Sequence, residues 1–379
     1  MRTVIISADD TNTYATNLAE AAAALRRGEL VVFPTETVYG VAANAADPQA
    51  MARLRAAKGQ GDERPFTVHL GQRRQARQYV RSATPVTRRL ARKAWPGPVT
   101  LVCEESAPEQ VPIASVCPAS QLREIYHAGT VGLRCPDHPV AARLLSDAGV
   151  PVVASSANRH RAPPPFTLGE ALRDFDGVAA YAIDAGRTRH AAASTVVVIR
   201  GNEWRIARPG AVDRRTLERL ARSEILFVCT GNSCRSPMAE YLFRDGLARR
   251  LGCTVDELGS AGYYVGSAGT LAVGGGPASA GALDEMSRRG LDLSGHRARP
   301  LTVELVHQAE RIFVMGPEHR QAVLGLVPSA AARVALLDPE GAVPDPMGGS
   351  ADGYRRCAEH IQRAVDARLE EFLDEDRDW

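Results

Sequence analysis

Residues 225–237 read Ile-Leu-Phe-Val-Cys-Thr-Gly-Asn-Ser-Cys-Arg-Ser-Pro. The four consecutive apolar residues predict a buried strand, and the final proline is typical of the first turn of a helix. The polar segment Cys229–Ser236 is therefore expected to connect a strand to a helix N-terminus. Backbone N–H groups at such a position, together with the helix dipole, favour an anion.

The residue types of this loop suit thiolate attack on a phosphoryl group. Cys229 is the candidate nucleophile, because the loop amides and the helix dipole favour its ionised form. Arg235 offers a planar fork for two phosphoryl oxygens. Such a route also requires an acid for the leaving group, and Asp345, which lies between two prolines, is the candidate. The other predicted members of the phosphate-binding loop are Thr230, Gly231, Asn232, Ser233, Cys234 and Ser236.

With this loop near its start and Asp345-Pro346 near its end, the segment from about 224 to 376 resembles the low-molecular-weight protein-tyrosine phosphatase family. The resemblance implies Cys229 as nucleophile, Arg235 as phosphate binder, Asp345 as general acid, and no requirement for a metal. The phosphorylated protein substrate stays open. The small Ser233, and the Met347-Gly348-Gly349 that follows the acid in place of aromatic residues, resemble the protein-arginine phosphatase branch and favour phosphoarginine over phosphotyrosine. Cys234 is either a partner for a protective disulfide with Cys229 or a small buried filler.

Both halves of the chain alternate apolar runs with helical patterns, which predicts α/β folds. In the first half, strands are expected at 30–33, 131–134 and 152–154, with a helix at 140–148 and a hairpin at 194–208. In the second half, a strand at 311–315 and helices at 238–250 and 354–372 predict a doubly wound parallel sheet. We place a first domain at 1–212, a helical linker at 213–223 and a second domain at 224–379.

Polar and basic residues lie at the predicted strand ends of the first domain. Lys58, Arg64, Arg134 and Arg208 would suit the phosphates of a nucleotide triphosphate, with lysine as a point charge and arginine as a fork. Hydroxyl and amide groups at 155–158 and 194–195 would orient phosphates or a small polar substrate. Lys58 is one of only two lysines among 46 basic residues, which favours a function that arginine cannot perform.

Taken together, the segments from about 17 to 212 resemble the threonylcarbamoyl-AMP synthase family, with its YrdC-like α/β fold and twisted mixed sheet. The resemblance implies that threonine, bicarbonate and ATP, with Mg²⁺ on the phosphates, give a product for the tRNA-modification machinery. It places Thr35 and Tyr39 beside threonine, and Arg134 between threonine and ATP. The residues that it places beside ATP are Lys58, Arg64, Ser156, Asn158, Ser194 and Arg208. It assigns no protein ligand to a metal.

Two departures from that family bear on activity. The family has an arginine two residues after the lysine, where this chain has Gln60, and small residues after Asn158, where this chain has Arg159-His160-Arg161. The sequence leaves open whether synthesis survives these changes. The chain is therefore predicted to be a bifunctional synthase and phosphatase, with a non-catalytic nucleotide- or RNA-binding module as the alternative for its first half.

Composition limits the remaining possibilities. The 379 residues are 45% hydrophobic and carry a formal charge of +2, which is typical of globular domains and says little about partners. No apolar run reaches the 18 residues of a membrane span. Seven scattered cysteines do not form a disulfide pattern, and a reducing cytoplasm is expected. Residues 73–93 carry eight basic residues and no acid, which favours a solvated surface over an RNA contact.

Overall fold

The computed structural model of the chain describes residues 2–8, 14–59 and 65–377, without the side chains of the last three. It divides into two compact units, and the division falls between Ala221 and Arg222. Residues 214–221, which the sequence assigned to a linker, form a helix that packs within the first unit, where Arg89 Nη1 donates to the Ala221 carbonyl at 2.6 Å.

The first unit contains eleven strands and seven α-helices within the described residues. The strands are β1 (Val4–Ser7), β2 (Val31–Phe33), β3 (Gly40–Asn44), β4 (Thr67–His69), β5 (Val99–Glu104), β6 (Tyr126–His127), β7 (Thr130–Arg134), β8 (Val152–Ser156), β9 (Tyr181–Asp184), β10 (Thr195–Arg200) and β11 (Glu203–Arg208). The helices are α1 (Tyr14–Arg26), α2 (Pro48–Lys58), α3 (Pro85–Ala94), α4 (Ala119–Ile125), α5 (Pro139–Asp147), α6 (Leu168–Phe175) and α7 (Arg214–Ala221).

All eleven strands join one mixed sheet in the order β1-β9-β2-β3-β8-β4-β7-β5-β10-β11, with β6 paired to β7. Helices α1 and α5 cover one face of the sheet at its β1 to β8 side, where they pack on Phe33 and Ala154. The opposite face is covered along its length by the larger core, which contains Val41, Val68 and Leu101. The part of the first face formed by β4, β7, β5 and β10 keeps no such helical cover among the described residues.

The second unit is a parallel sheet with helices on both faces. Its strands are β12 (Ser223–Cys229), β13 (Tyr263–Gly269), β14 (Arg311–Val314) and β15 (Val334–Leu336), in the order β13-β12-β14-β15. Its helices are α8 (Arg235–Leu251), α9 (Ala280–Arg288), α10 (Val303–Gln308), α11 (Pro317–Leu326) and α12 (Ala351–Arg377).

The central strand β12 explains why both faces are covered. Ile225 and Phe227 enter a core with α8, α9 and α12, whereas Leu226 and Val228 enter a core with α10 and α11. Alternate side chains of a strand point to opposite faces, so a continuous apolar run buries both. The predicted doubly wound fold is therefore confirmed. The strand also delivers Cys229 to the carboxyl edge of the sheet, directly before the N-terminus of α8.

Candidate active sites

The uncovered part of the first unit's sheet forms a cavity of about 470 Å³. Its floor consists of the residues that alternate with the core residues on β4, β5 and β7, such as Thr67, Thr100 and Gly132. A Cβ on Gly132 would lie 3.4 Å from Thr67 Oγ1, which shows how closely the two strands approach there. The cavity is thus a consequence of strand alternation and incomplete helical cover. The predicted site residues that line it are Thr35, Arg134, Ser156, Asn158, Ser194 and Arg208.

Arg134 is fixed at this cavity by a buried ion pair. Its Nη2 donates to Glu36 Oε1 at 2.9 Å and to Thr37 Oγ1 at 2.6 Å, and it lies 3.4 Å from Thr35 Oγ1. The side chain of Glu36 is fully buried and that of Arg134 is 6% exposed. The Nε–H of Arg134 has no partner in the described part of the chain, so this buried donor is available to a ligand.

Ser194 and Arg208 lie together at another wall of the cavity. Arg208 Nη2 donates to the Ser194 carbonyl at 2.9 Å and to Ser194 Oγ at 3.1 Å, and the Ser194 hydroxyl is 2.9 Å from that of Thr100. Burial and the nearby charge of Arg134 lower the pKa of Arg208. Two guanidinium groups at one cavity favour an anionic ligand, which would relieve their mutual repulsion.

His69 lines the same cavity and was missed in the sequence. Its Nδ1 is 3.0 Å from the Thr67 carbonyl, so Nδ1 carries the ring proton. Burial and then the Arg134 charge lower the pKa of His69, so the ring is neutral at pH 7. The alternation of Thr67, Val68 and His69 along β4 is a signal that could have identified it.

Lys58, which the resemblance placed beside ATP, does not line the cavity in the structure. Its Nζ donates to the carbonyls of Ser156, at 2.6 Å, and Asn158. Burial lowers the pKa of Lys58 to about 8. The ammonium therefore braces the turn that carries Ser156 and Asn158. The carboxamide oxygen of Asn158 is buried without a partner among the described residues, and Asn158 lines the cavity.

Three further positions of the first domain bear on the predicted synthase site. Tyr39 is buried away from the cavity, where its hydroxyl donates to the Gly186 carbonyl at 2.7 Å. Arg64 and Gln60 lie outside the described residues. In the substituted segment after Asn158, the Arg159 N–H donates to Asp174 Oδ2 at 2.9 Å and Arg161 adopts a φ of 68°. The side chains of Arg159 and Arg161 are exposed and do not line the cavity. The predicted roles of Tyr39, Lys58 and Arg64 stay predictions.

The second candidate site is the loop between β12 and α8. The Asn232 N–H lies 3.3 Å from Cys229 Sγ, and the Ser236 hydroxyl lies 2.9 Å from the same sulfur. Both groups can donate to a thiolate, so the loop has the geometry to stabilise the charged nucleophile. Cys229 itself is buried at the end of its strand.

Asn232 holds the loop in shape. It has the left-handed φ of 52° that asparagine tolerates, and its Nδ2 donates to Ser236 and to Ser267 at 2.9 and 2.8 Å. Its Oδ1 accepts from the Arg299 N–H at 2.9 Å. Gly269 allows β13 to approach this loop, because a Cβ there would lie 2.5 Å from the Thr230 carbonyl oxygen.

Arg235 and Asp345 meet at this loop. Arg235 Nη2 donates to Asp345 Oδ2, and Nη1 donates to the Val343 carbonyl at 3.2 Å. Asp345 Oδ1 accepts from the Met347 N–H at 3.1 Å, which shapes the acid loop. The structure therefore brings together the predicted phosphate binder and the predicted acid.

Cys234, a member of the predicted loop, is buried in the core of the second unit. Its Sγ is 3.0 Å from Ser279 Oγ and 3.6 Å from the Tyr354 hydroxyl. All seven cysteines are free thiols in the structure. Within the described residues, no cluster of three or more His, Cys, Asp or Glu side chains could hold a metal, and no helix is long and apolar enough to cross a bilayer.

Comparison with known proteins relates the first unit to one family. The Sua5/YciO/YrdC family model, described as "Telomere recombination", matches residues 23–210. The chain is 38% identical over 205 residues to a putative threonylcarbamoyl-AMP synthase of Mycobacterium tuberculosis, covering 54% of this chain and 87% of that protein. It is 34% identical over 212 residues to threonylcarbamoyl-AMP synthase of Bacillus subtilis, covering 55% of this chain but only 58% of that protein.

A solved structure shares the fold. A doubly substituted variant of Pyrococcus abyssi Sua5 matches with a TM-score of 0.51 at 23% identity, over 88% of this chain and 98% of that one. This likeness supports the fold alone.

The second unit has a family of its own. The model of the low molecular weight phosphotyrosine protein phosphatases matches residues 224–378. The chain is 37% identical over 145 residues to a probable low molecular weight protein-tyrosine-phosphatase, EpsP, of Ralstonia nicotianae, covering 38% of this chain and 91% of that protein. The chain therefore belongs to the threonylcarbamoyl-AMP synthase family through its first unit and to the low-molecular-weight protein-tyrosine phosphatase family through its second.

Proposed function

We propose that the first unit makes L-threonylcarbamoyladenylate from ATP, threonine and bicarbonate, and that the second unit dephosphorylates a protein through a phosphocysteine. The observation that supports the synthase is the convergence of Arg134, Arg208, Ser156 and Ser194 on one cavity of about 470 Å³. Two guanidiniums and two hydroxyls suit a ligand that carries phosphates and a carboxylate.

In the proposed synthesis, the threonine amine attacks bicarbonate and water leaves, which gives a carbamate. A carbamate oxygen then attacks the α-phosphorus of ATP, and pyrophosphate leaves. Arg134, held by Glu36, would orient the threonine carboxylate, and Arg208 would stabilise charge on the phosphates. Mg²⁺ would arrive with the nucleotide. The product would pass to the tRNA-modification machinery.

Pyrophosphate release from ATP in the presence of threonine and bicarbonate tests this proposal. Omission of threonine should abolish release, and Ser194→Ala should reduce it. Cys229→Ser, which removes the nucleophile of the other unit, is the matched control and should leave release unchanged. Release that does not depend on threonine, with ATP still bound, would favour the alternative of a nucleotide- or RNA-binding module.

The basic stretch 73–93 does not strengthen the RNA-binding alternative. Arg89 is fully buried and donates to the Ala221 carbonyl, and Arg73 Nη1 donates to the Arg92 carbonyl at 3.0 Å. Arg88 Nη1 likewise donates to the Ala83 carbonyl. These three arginines stabilise the fold of the first unit rather than form an open basic surface.

In the proposed dephosphorylation, the Cys229 thiolate attacks phosphorus while Asp345 gives a proton to the leaving group. Water then attacks the phosphocysteine, and the Asp345 carboxylate takes its proton as phosphate leaves and the thiolate returns. The supporting observation is that the Asn232 N–H and the Ser236 hydroxyl both approach Cys229 Sγ, while Arg235 and Asp345 meet at the same loop.

The surroundings of this site favour phosphoarginine as the substrate. Ser233 is small and polar, and Met347, which follows the acid segment, is aliphatic and 58% exposed. Tyr354, the first aromatic residue after the acid, is buried with its hydroxyl toward Cys234, so it cannot flank a phenyl ring. Comparison of kcat/KM on matched phosphoarginine and phosphotyrosine peptides tests the proposal, and a clear preference for phosphotyrosine would refute it.

A further inference from the structure

A histidine that the sequence analysis did not single out contacts the phosphate-binding loop. His319 lies in the first turn of α11 and is 1% exposed. Its Nε2 is 2.9 Å from the hydroxyl oxygen of Thr230, the residue that follows the nucleophile. The two residues are 89 positions apart in the chain, so the contact ties the first turn of α11 to the loop after β12.

One order of hydrogen bonds fits this cluster. Arg235 Nη2 is a permanent donor 3.4 Å from Thr230 Oγ1, so that oxygen accepts from the guanidinium. The Thr230 hydroxyl can then donate its own proton to His319 Nε2, with that nitrogen as the unprotonated one of a neutral ring. In this tautomer the ring proton is on Nδ1, which lies 3.1 Å from Glu318 Oε1 but is not aligned as a hydrogen bond.

The charges around the ring are compatible with this neutral form. Burial lowers the pKa of His319, and the positive charge of Arg235 acts in the same direction. The carboxylates of Glu318, on the same helix, and Asp345, on the acid loop, act in the opposite direction and are weaker than the burial. The Nε2 lone pair is therefore free to accept from Thr230 at neutral pH.

The link to Thr230 differs from the other contacts of Arg235. The guanidinium also contacts the Val343 carbonyl and the Asp345 carboxylate, and both belong to the segment that carries the general acid. When Asp345 turns to the leaving group, it releases Arg235. The Thr230 hydroxyl, held by His319, is then the contact outside the acid segment that still orients the guanidinium.

We infer that His319 is a positioning residue that fixes the plane of the Arg235 guanidinium through the Thr230 hydroxyl. Its side chain touches neither the nucleophile nor the phosphoryl group in this arrangement. It keeps the guanidinium of Arg235 aligned for two phosphoryl oxygens. Loss of His319 should therefore lower both the affinity for phosphate and kcat.

A double-mutant cycle tests this inference with inorganic phosphate as the probe. Thr230→Val and His319→Leu should each weaken phosphate binding about tenfold, the size expected for loss of one hydrogen bond in a charged network. The double variant should be no weaker than either single variant, because both remove the same link. Thr230→Ser, which keeps the hydroxyl, and His319→Gln, which keeps an acceptor, should each lose less phosphate affinity than Thr230→Val and His319→Leu.

This inference rests on the proposed phosphatase function. Isothermal titration calorimetry measures phosphate binding without turnover, so the role of His319 and the proposed function can be tested separately. A wild type that binds phosphate without hydrolysing phosphopeptides would refute the proposed function alone. Additive losses in the double variant, unchanged binding in Thr230→Val, or a wild type that does not bind phosphate would overturn the role of His319. Thermal melting checks each fold, and if His319→Leu fails to fold, His319→Phe, which keeps a planar ring without a hydrogen-bonding nitrogen, takes its place in the cycle.

Discussion

Asp345 Oδ2 accepts a hydrogen bond from Arg235 Nη2, so the proposed general acid and the proposed phosphate binder are paired with each other. The Asp345 side chain is 47% exposed, whereas that of Arg235 is 7% exposed. The carboxylate is therefore the partner with room to move. In the proposed mechanism, substrate oxygens would take its place on the guanidinium, and the displaced carboxylate would become available to the leaving group.

Replacement of the acid should affect substrates according to their leaving groups. Asp345→Asn cannot donate a proton, so kcat should fall about 10²–10⁴-fold for phosphorylated substrates with poor leaving groups. Loss of kcat should be much smaller for an aryl phosphate whose leaving group needs no protonation. Steady-state kinetics on a series of leaving groups measures the difference. Asp338→Asn, at a carboxylate that pairs with His360, is the control, and equal losses across the series would contradict the assignment.

The size of residue 233 should set the substrate preference of the second unit. Ser233→Ile adds apolar bulk within the phosphate-binding loop. We expect kcat/KM for phosphoarginine peptides to fall about tenfold or more relative to kcat/KM for phosphotyrosine peptides. Ser233→Thr keeps the polar group and is the matched control. An isoleucine variant with an unchanged ratio of the two kcat/KM values would show that this position does not select the substrate.

The fold of the second unit and the core of its site could be predicted from the sequence because their determinants are local. The run from Ile225 to Val228 is apolar on both faces, and the loop residues that contact Cys229 follow it directly. The role of Asn232 in the loop could be predicted for the same reason, since asparagine tolerates the left-handed backbone conformation that it adopts here. Local patterns were enough for these features.

The features that were not predicted depend on contacts between distant segments. His319 reaches Thr230 across 89 residues, and no local pattern marks it. The lysine at 58 stands out in an arginine-rich sequence, but the sequence does not show its partners. Its Nζ donates to two backbone carbonyls of a turn about 100 residues away. His69 is an intermediate case. The alternation of Thr67, Val68 and His69 is a local pattern, but a strand of three residues gives only a weak signal.

The buried pair of Glu36 and Arg134 should stabilise the first unit strongly. Glu36→Gln leaves the Arg134 charge buried without a counter-ion, and we expect the free energy of unfolding to fall by about 3 kcal/mol. Urea unfolding followed by the fluorescence of the buried Trp95 measures this change. Glu29→Gln, in the more exposed pair with Arg27, should cost less than about 1 kcal/mol. Equal costs for the two variants would refute the importance of the buried pair.

Lys58 should give the first unit a distinctive pH dependence. Its folded pKa of about 8 lies below its ordinary value of 10.5, so between these limits the unfolded chain binds more protons than the folded one. The free energy of unfolding should therefore rise with pH across this window, by roughly 3 kcal/mol from this group. Lys58→Met should lack that rise when the two proteins are compared at each pH. Parallel curves would show that folding does not lower the pKa of Lys58.

The cavity that holds Arg134 is lined by residues of the first unit, and the loop around Cys229 is built from the second. A genetic consequence follows from this separation. Two alleles of the gene, one that changes Ser194 and one that changes Cys229, should complement each other when both are expressed in one cell. Each polypeptide would supply the chemistry that the other lacks, without any exchange of subunits between them.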